Sequence, residues 1–428
     1  MTLARTRTRR RRHEGAGSRG VLVACPDSRP PAYQAVAGLA GAGLLGEFLT
    51  GFYDRGDGLA GVLGRSSPRL ARAFRKRKDP AIPSALVRSA WSFDVALALE
   101  NRGPRFRARV ARWRTRHFDR LLAREVDRLR PDALLVFSDV GTDFALPRCR
   151  ELGVPIILSV VHGEVHEEVD VLEREAALSP EFQAIYLGDG RLDRDELAWF
   201  HDRRRREAAL ADRVLVPSEH IAEAYARHGT PADRIKVVPY AADTRRFTPR
   251  VEKRHDHSCT FLFAGGITQR KGISYLLKAW REAKRPGRRL RLLGALPNDA
   301  TPLAPWLDDV EILGRLPHAD VPAVMAEADV FVFPSLFEGS AVVTYEALAS
   351  GLPLIVTDAA GSVARDGVEA IVVPSANVEA LVEAMDRLAE DPARRSAMSR
   401  AARLRAEAFD WPRYHEALVN AVEGLIAV

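Results

Sequence analysis

Two glutamates with a fixed spacing, Glu338 and Glu346, offer the clearest chemistry in the sequence. An apolar run ends at Pro334, a short loop holds Glu338, and a helix-like stretch ends at Gly351. This order predicts a strand, a turn and a helix whose first amides point at a sheet edge, where a phosphate binds well. If one helix spans both glutamates, they lie about 12 Å apart along its axis and about 80° apart around it. That separation is too large for a carboxylate pair acting on one atom.

The two carboxylates suit a ligand that carries hydroxyl groups on both sides of a diphosphate. An ionised carboxylate only accepts hydrogen bonds, so one glutamate would hold a sugar and the other a ribose. Gly339 between them permits close approach of the backbone. The pattern indicates a nucleotide sugar. The alternative is that both glutamates face solvent beside an ordinary phosphate-binding turn, a common feature of α/β folds.

The elements that would position these residues are short, continuous apolar runs separated by helix-length segments. Runs of this kind, without polar alternation, are expected for strands buried on both faces of a parallel sheet. They lie at 20–25, 133–138, 155–161, 213–217 and 236–239, and then at 260–264, 289–293, 330–334, 353–357 and 370–374. The order predicts an α/β protein with two Rossmann-like, doubly wound domains that face a central cleft.

The composition adds domain boundaries and a marked asymmetry of charge. Residues 1–130 hold 28 Lys+Arg and 11 Asp+Glu, a charge of +17, so the overall charge of +7 leaves −10 for the rest. We predict a basic disordered tail at 1–19, a first domain at 20–245, a polar linker at 246–258 and a second domain at 259–408.

Cysteine usage and hydropathy constrain the compartment. The three cysteines have no spacing that suggests a disulfide framework or a zinc site, which favours a reducing compartment such as the cytoplasm. No segment has the apolar length of a membrane span. The arginine run at 9–12 resembles an export signal, but the following apolar stretch is too short for one.

The frame F-x-F-P-S-x-x-E-G…E-A-x-A-x-G-x-P around Glu338 and Glu346 resembles the signature of the retaining glycosyltransferases of family 4, also called glycosyl transferases group 1. Further blocks at 211–218, 235–247 and 261–272 resemble those of the family and follow in the same order. The resemblance implies the GT-B fold and transfer of a sugar from a nucleotide-diphosphate sugar to a hydroxyl acceptor. It also implies a C-terminal helix at 409–428 that packs back on the first domain.

The resemblance assigns roles to individual residues. It implies that Glu338 contacts the donor sugar, that Glu346 contacts the ribose, and that Gly265 belongs to the donor-binding loop. The backbone amides of Gly339, Ser340 and Ala341 would bind the diphosphate. Arg270 and Lys271 would hold the leaving diphosphate, since a guanidinium and an ammonium suit two phosphoryl groups. Many relatives place an arginine where this chain has Gly266, so we assign that role to Arg270.

A histidine, His162, follows the apolar run 155–161, at a position where the family carries a histidine that faces the cleft. We predict that it contacts the sugar or the acceptor; the alternative is a structural loop histidine. His162 and His166 are four residues apart with Glu164 between them, which could imitate a metal site. The spacing is not HExxH and the family generally needs no metal, so we expect no essential metal and no cofactor besides the donor.

The basic portion of the first domain carries arginines interleaved with aromatic residues, including Phe74, Phe106, Trp113 and Phe118. Such a patch suits an anionic membrane or nucleic acid, and the absence of a recognisable nucleic-acid module favours the membrane or an anionic acceptor. A solvated face of a sequence rich in arginine is the alternative.

The resulting hypothesis is a cytoplasmic, retaining glycosyltransferase of glycan, exopolysaccharide or glycolipid synthesis that is peripheral on the membrane. A GT-B enzyme with another reaction, such as a sugar epimerase, and a non-catalytic basic adaptor for nucleotides or nucleic acid are the alternatives.

Overall fold

The first half of the chain forms a seven-stranded sheet in the computed structural model, which describes residues 19–54, 77–100, 107–186, 194–250 and 258–427. All strand pairs are parallel and the order is β3-β2-β1-β4-β5-β6-β7. The strands are β1 (Val21–Ala24), β2 (Leu45–Thr50), β3 (Val87–Ser89), β4 (Ala133–Phe137), β5 (Ile156–Ser159), β6 (Arg213–Val216) and β7 (Ile235–Val237).

Helices cover both faces of this sheet. Val21, Leu22 and Val23 point alternately to the two faces and are all fully buried, which is why the strand reads as a continuous apolar run. The helices are α1 (Pro30–Gly41), α2 (Ser92–Glu100), α3 (Arg107–Leu129), α4 (Ala145–Leu152), α5 (Val165–Leu178), α6 (Arg194–Leu210) and α7 (Glu219–Arg227). The order of the chain reverses between β1 and β4, the kind of switch point where α/β sheets bind ligands.

The second half forms a six-stranded parallel sheet with the order β10-β9-β8-β11-β12-β13. Its strands are β8 (Cys259–Ala264), β9 (Arg288–Leu293), β10 (Val310–Gly314), β11 (Val330–Phe333), β12 (Leu354–Val356) and β13 (Ala370–Val372). Its helices are α8 (Ile273–Ala283), α9 (Val321–Ala326), α10 (Val342–Ala349), α11 (Val378–Glu390) and α12 (Pro392–Glu407). The prediction of two doubly wound α/β domains is confirmed.

The last helix, α13 (Trp411–Ile426), returns to the first sheet. The Tyr414 hydroxyl donates to the Pro31 carbonyl at the start of α1, and Arg213 of β6 donates to the Ala421 carbonyl. The side chains of Tyr414 and Leu418 are buried against the first half. The C-terminal segment therefore crosses from the second sheet to the first.

The predicted tail at 1–19 lies outside the described residues except for Arg19, and the predicted linker is described only up to Arg250 and at Ser258. Before that gap, Phe247 is buried, and Arg403 of α12 donates to its carbonyl. The last described residues before the gap therefore contact the second half of the protein. Within the described ranges, no helix combines the length and apolar composition that a membrane crossing needs.

Candidate active site

Glu338 lies in the loop between β11 and α10, before the helix begins at Val342. The premise that one helix spans both glutamates is therefore wrong, because only Glu346 is helical. The loop is held from below by the turn 269–271, since the Leu336 amide donates to the Arg270 carbonyl over 2.9 Å. Gly272 ends that turn with φ +71°, and a Cβ there would lie 1.9 Å from the Pro334 carbonyl oxygen. Only glycine fits between the two segments.

The carboxylate of Glu338 is surrounded by cations. The ammonium of Lys271 donates to it, and the guanidinium of Arg270 lies 3.4 Å away while donating to the Phe337 carbonyl. Burial alone would raise the pKa of Glu338, but the charges of Arg270 and Lys271 outweigh burial and hold the pKa below its ordinary value. Burial lowers the pKa of Lys271 despite the opposing charge of Glu338. The carboxylate of Glu338 therefore occupies the space beside both cations.

A cavity of about 450 Å³, which we call the C-terminal cleft, opens beside this cluster. Lys271 and Glu338 border it, whereas Arg270 is not among its described lining residues. Gly265, at the end of β8, also borders the cleft, with φ +149°. Of the two predicted cations, Lys271 borders this cavity, and Arg270 lies 3.4 Å from Glu338, which also borders it.

The start of α10 supplies amides to the same cleft, although not all of those predicted. The Ala341 amide donates to the Ala360 carbonyl over 3.1 Å, so it is paired within the protein here, and its role as a diphosphate donor stays a prediction. Val342 and Val343, the first two residues of α10, border the cleft, and amides at such positions have no partner within the helix. Ser340 also borders the cleft, and its hydroxyl donates to the Gly361 carbonyl, which fixes the turn.

Glu346 lies on α10 at the other end of the cleft, with its side chain 11% exposed. The Nε2 atom of His318 donates to its carboxylate over 2.7 Å. His318 borders the cleft and follows β10, a strand that the apolar runs did not reveal. The carboxylate of Glu346 and the exposed imidazole of His318 therefore lie at the same end of the cleft. The sequence analysis did not identify His318 as a site residue.

Gly339 brings the loop against the first sheet. A Cβ on Gly339 would lie 2.9 Å from the Val161 carbonyl oxygen, and the hydroxyl of Ser218 donates to the Gly339 carbonyl over 2.9 Å. A Cβ on Gly163 would meet the ring of Phe337 at 2.3 Å. The two halves touch at backbone distance here, so groups from both sheets border one interdomain space.

His162 projects from the first sheet at this contact, three residues after Ser159, the last residue of β5. Its Nε2 atom lies 3.5 Å from the carboxylate of Asp139, which also accepts two hydrogen bonds from Arg204 at 2.9 and 3.1 Å. Burial and then the charge of Arg204 lower the pKa of His162, and Asp139 opposes them. The lowered pKa favours the neutral imidazole, which has one hydrogen-bond donor nitrogen and one acceptor nitrogen.

Asp139 was not predicted, although its position after β4 is one where α/β folds place functional groups. It has φ +74°, an uncommon conformation for a residue other than glycine. Burial would raise its pKa, but Arg204 and His162 lower it strongly. Beneath it, the buried Glu207 accepts from the Asp139 amide, and burial with the nearby charge of Asp139 raises the pKa of Glu207 to about 8.

The basic portion of the first half is only partly described, because Phe74, Phe106 and the arginines around them lie outside the described residues. In α3, Phe118 is buried in the core, so its predicted place in an exposed aromatic pattern is wrong. Trp113 is 53% exposed. Several arginines of α3 contact other parts of the protein: Arg116 pairs with Asp143, and Arg120 lies over Phe144.

The family models of two glycosyltransferase groups match the chain. The model described as Glycosyltransferase Family 4 matches residues 21–246, and that of glycosyl transferases group 1 matches 258–391. A D-inositol 3-phosphate glycosyltransferase of Pseudarthrobacter chlorophenolicus is 34% identical over 52% of this chain and 61% of the relative. An alpha-D-kanosaminyltransferase of Streptomyces kanamyceticus is 28% identical over 40% of this chain and 48% of the relative. The chain thus spans about half to three fifths of the curated relatives that it matches.

Solved structures resemble the fold over nearly its whole length. The sucrose-phosphate synthase of Thermosynechococcus elongatus has a TM-score of 0.67 and 18% identity, with 95% of this chain and 99% of that chain covered. Anabaena HepE in complex with UDP-glucose has a TM-score of 0.61 and 14% identity, with the same coverage. At these identities the likeness is one of fold, and it is the GT-B arrangement of two facing Rossmann-like sheets.

Proposed function

The chain belongs to glycosyltransferase family 4, and we propose that it transfers a sugar from a nucleotide-diphosphate sugar to a hydroxyl acceptor with retention of the anomeric configuration. The observation that carries the proposal is the cluster of Lys271 and Glu338 at the start of α10, opposite His162 of the other sheet. It combines a cation for a diphosphate, an acceptor for sugar hydroxyls and a neutral imidazole from the acceptor side.

The donor would lie along the C-terminal cleft. The ribose hydroxyls would replace the His318 imidazole as hydrogen-bond donors to Glu346. The diphosphate would lie between Lys271 and the first amides of α10. Glu338 would leave Lys271 and accept from the hydroxyls of the sugar. The bond between the anomeric carbon and the diphosphate breaks, and the charge that develops on the diphosphate is stabilised by Lys271 and the helix N-terminus.

The acceptor hydroxyl would attack from the same face of the sugar, and its proton would pass to the departing diphosphate oxygen. His162 would position the sugar or the acceptor as a neutral hydrogen-bonding group, held by Asp139. No side chain acts as a covalent nucleophile in this scheme. Lys271 and the amides supply the electrostatic stabilisation that a metal ion would otherwise give, so we propose that transfer requires no metal and no cofactor.

We further propose a glycan or a lipid-linked molecule as the acceptor and the cytoplasmic face of a membrane as the location. The three cysteines, Cys25, Cys149 and Cys259, are buried and unpaired, which suits a reducing compartment. Trp113, Arg109 and Arg124 are all exposed on α3, a combination that favours an anionic bilayer surface. The acceptor side of the enzyme would then face the membrane.

A thermal-shift screen over nucleotide sugars identifies the donor, because a ligand that binds the folded state stabilises it by mass action. Release of the nucleoside diphosphate with that donor, in the presence of EDTA, then tests transfer without a metal. NMR of the glycosylated product reports the anomeric configuration. An inverted product would refute retention, and conversion of the donor sugar without nucleotide release would favour an epimerase.

A further inference from the structure

Behind the loop that carries His162, two histidines meet one carboxylate. Glu164 is the residue before α5, His166 lies in the first turn of α5, and His228 follows α7. The Nδ1 atom of His166 is 2.9 Å from one oxygen of Glu164, and the Nε2 atom of His228 is 3.6 Å from the other. The imidazole rings are stacked, with centroids 4.6 Å apart and planes inclined by 12°.

We propose that this cluster binds one divalent transition-metal ion of the Zn²⁺ type. Among the described residues, these three offer ligand atoms that all lie within 4.8 Å of one another. Two imidazoles and a glutamate form a known open zinc site, in which solvent fills the fourth position. Tetrahedral ligands at the usual zinc distances stand about 3.3 to 3.5 Å apart, close to the separations around Glu164. One of the stacked imidazoles would have to rotate so that both nitrogens face the ion.

The glutamate is already oriented by its surroundings. Its carboxylate also accepts a hydrogen bond of 2.7 Å from the His166 amide, which caps α5, and its side chain is only 8% exposed. The imidazoles of His166 and His228 are 46% and 30% exposed. All three line an open pocket of about 450 Å³, so an ion would enter from solvent and meet a fixed carboxylate.

The charged side chains around the cluster bear on whether a cation can bind there. Arg204 lines the same pocket, but its guanidinium is paired with Asp139 and Glu168. Arg205 and Arg234 also line the pocket; Arg205 is exposed and Arg234 is half-buried. Glu167, the next carboxylate on α5, pairs with Arg227. The buried arginine is thus already neutralised, and Glu164 carries the charge that the ion would balance.

An ion here would tie the start of α5 to the end of α7. It would not take part in the proposed transfer, because the ring of His162 points to Asp139 and not to this cluster. The four-residue spacing of His162 and His166 therefore does not form one site. The inference concerns a structural ion of the acceptor half and goes beyond the proposed function.

The experiment uses the untagged full chain, stripped of metal with EDTA and dialysed. Calorimetric titration with Zn²⁺ should show one ion per chain, and Co²⁺ should give visible bands of a four-coordinate site. His166→Gln and His228→Gln should each weaken Zn²⁺ binding about tenfold or more. His220→Gln is the matched control, since His220 lies on α7 beside Glu167 and outside the cluster. It should bind Zn²⁺ as the wild type does.

Metal-free variants with unchanged circular dichroism and unfolding midpoints would show that a loss of binding is not a loss of folding. Binding should also weaken in acid, because protons compete with a metal ion for its ligands. The proposal is overturned if the wild type binds no stoichiometric Zn²⁺, or if both cluster variants bind it as tightly as the wild type.

Discussion

The replacement of Lys271 by methionine tests the proposed diphosphate site most directly. The change removes one charge and keeps the apolar length of the side chain. Lys271 is 16% exposed, and its ammonium lies 5.0 Å from the centre of the Phe333 ring, so the charge acts in a poorly solvated place. Two unit charges about 4 Å apart at an effective dielectric constant of about 20 interact by about 4 kcal/mol.

Part of that charge is already offset by Glu338, which lowers the expected effect. We therefore expect a loss of about 2 to 4 kcal/mol in transition-state stabilisation, the scale for removing one preorganised donor. This corresponds to a fall in kcat/KM of about 30-fold to 1,000-fold. Because Arg270 does not border the cleft, Arg270→Met should cost less than Lys271→Met.

The assay is the initial rate of nucleoside diphosphate release with the donor found by thermal shift. Lys284→Met is the matched control, because Lys284 lies in the same half of the protein but pairs with Asp309 at the surface. Its rate should match the wild type. A folded Lys271→Met variant within about threefold of the wild type would refute the assignment of Lys271. A larger loss in Arg270→Met would return the role to the residue that the sequence suggested.

Four further outcomes are expected. Glu346→Gln should weaken binding of the nucleoside diphosphate about tenfold in calorimetry, since a charged acceptor for the ribose is lost, whereas unchanged affinity would exclude that role. In the wild type, kcat/KM should decrease on the acid side only below pH 6.5, because the pKa of His162 is lowered. The residual activity of His162→Gln should not show this decrease. The folded-state pKa of Glu207, about 8 against an ordinary 4.5, makes the unfolding free energy fall with rising pH between these values, by up to about 1.4 kcal/mol per pH unit. Urea midpoints at pH 6 and pH 8 should show this fall in the wild type and not in Glu207→Gln. Arg109→Gln with Arg124→Gln should weaken binding to anionic vesicles by about 1 kcal/mol per charge, and salt-insensitive binding would contradict a membrane role.

Ten strands of the fold were predictable, most of them because they form a continuous apolar run; in β9, Arg289 and Arg291 interrupt the leucines. The three that were missed lack such a run. Leu45–Thr50 contains a glycine and a glutamate, and Val87–Ser89 and Val310–Gly314 are edge strands with partly exposed residues. Edge position alone does not explain the two misses, since the edge strands β7 and β13 were predicted; in Val87–Ser89 and Val310–Gly314 a charged residue interrupts the apolar ones.

In the site, residues that are contiguous in the sequence could be predicted, whereas contacts between distant residues could not. The loop around Glu338 and the start of α10 could be placed because motif and helix are contiguous in the sequence. His318 meets Glu346 from 28 residues away, and Asp139 meets His162 from 23 residues away, so no spacing rule reveals either pair. The choice between Arg270 and Lys271 depends on which side chain turns toward the cleft. Adjacent residues in a short turn give no periodicity that would decide it.

The contact between the turn 269–271 and the first half has a mechanical consequence. Glu175 of α5 is buried, and its carboxylate accepts from the Gln269 side chain over 2.7 Å and from the Tyr275 hydroxyl over 3.0 Å. Gln269 is two residues before Lys271. Any parting of the two sheets must break these hydrogen bonds and release the segment that carries Lys271. Separation of the halves would then also loosen the segment that carries Lys271, because Glu175 of the first half holds Gln269 and Tyr275 of the second.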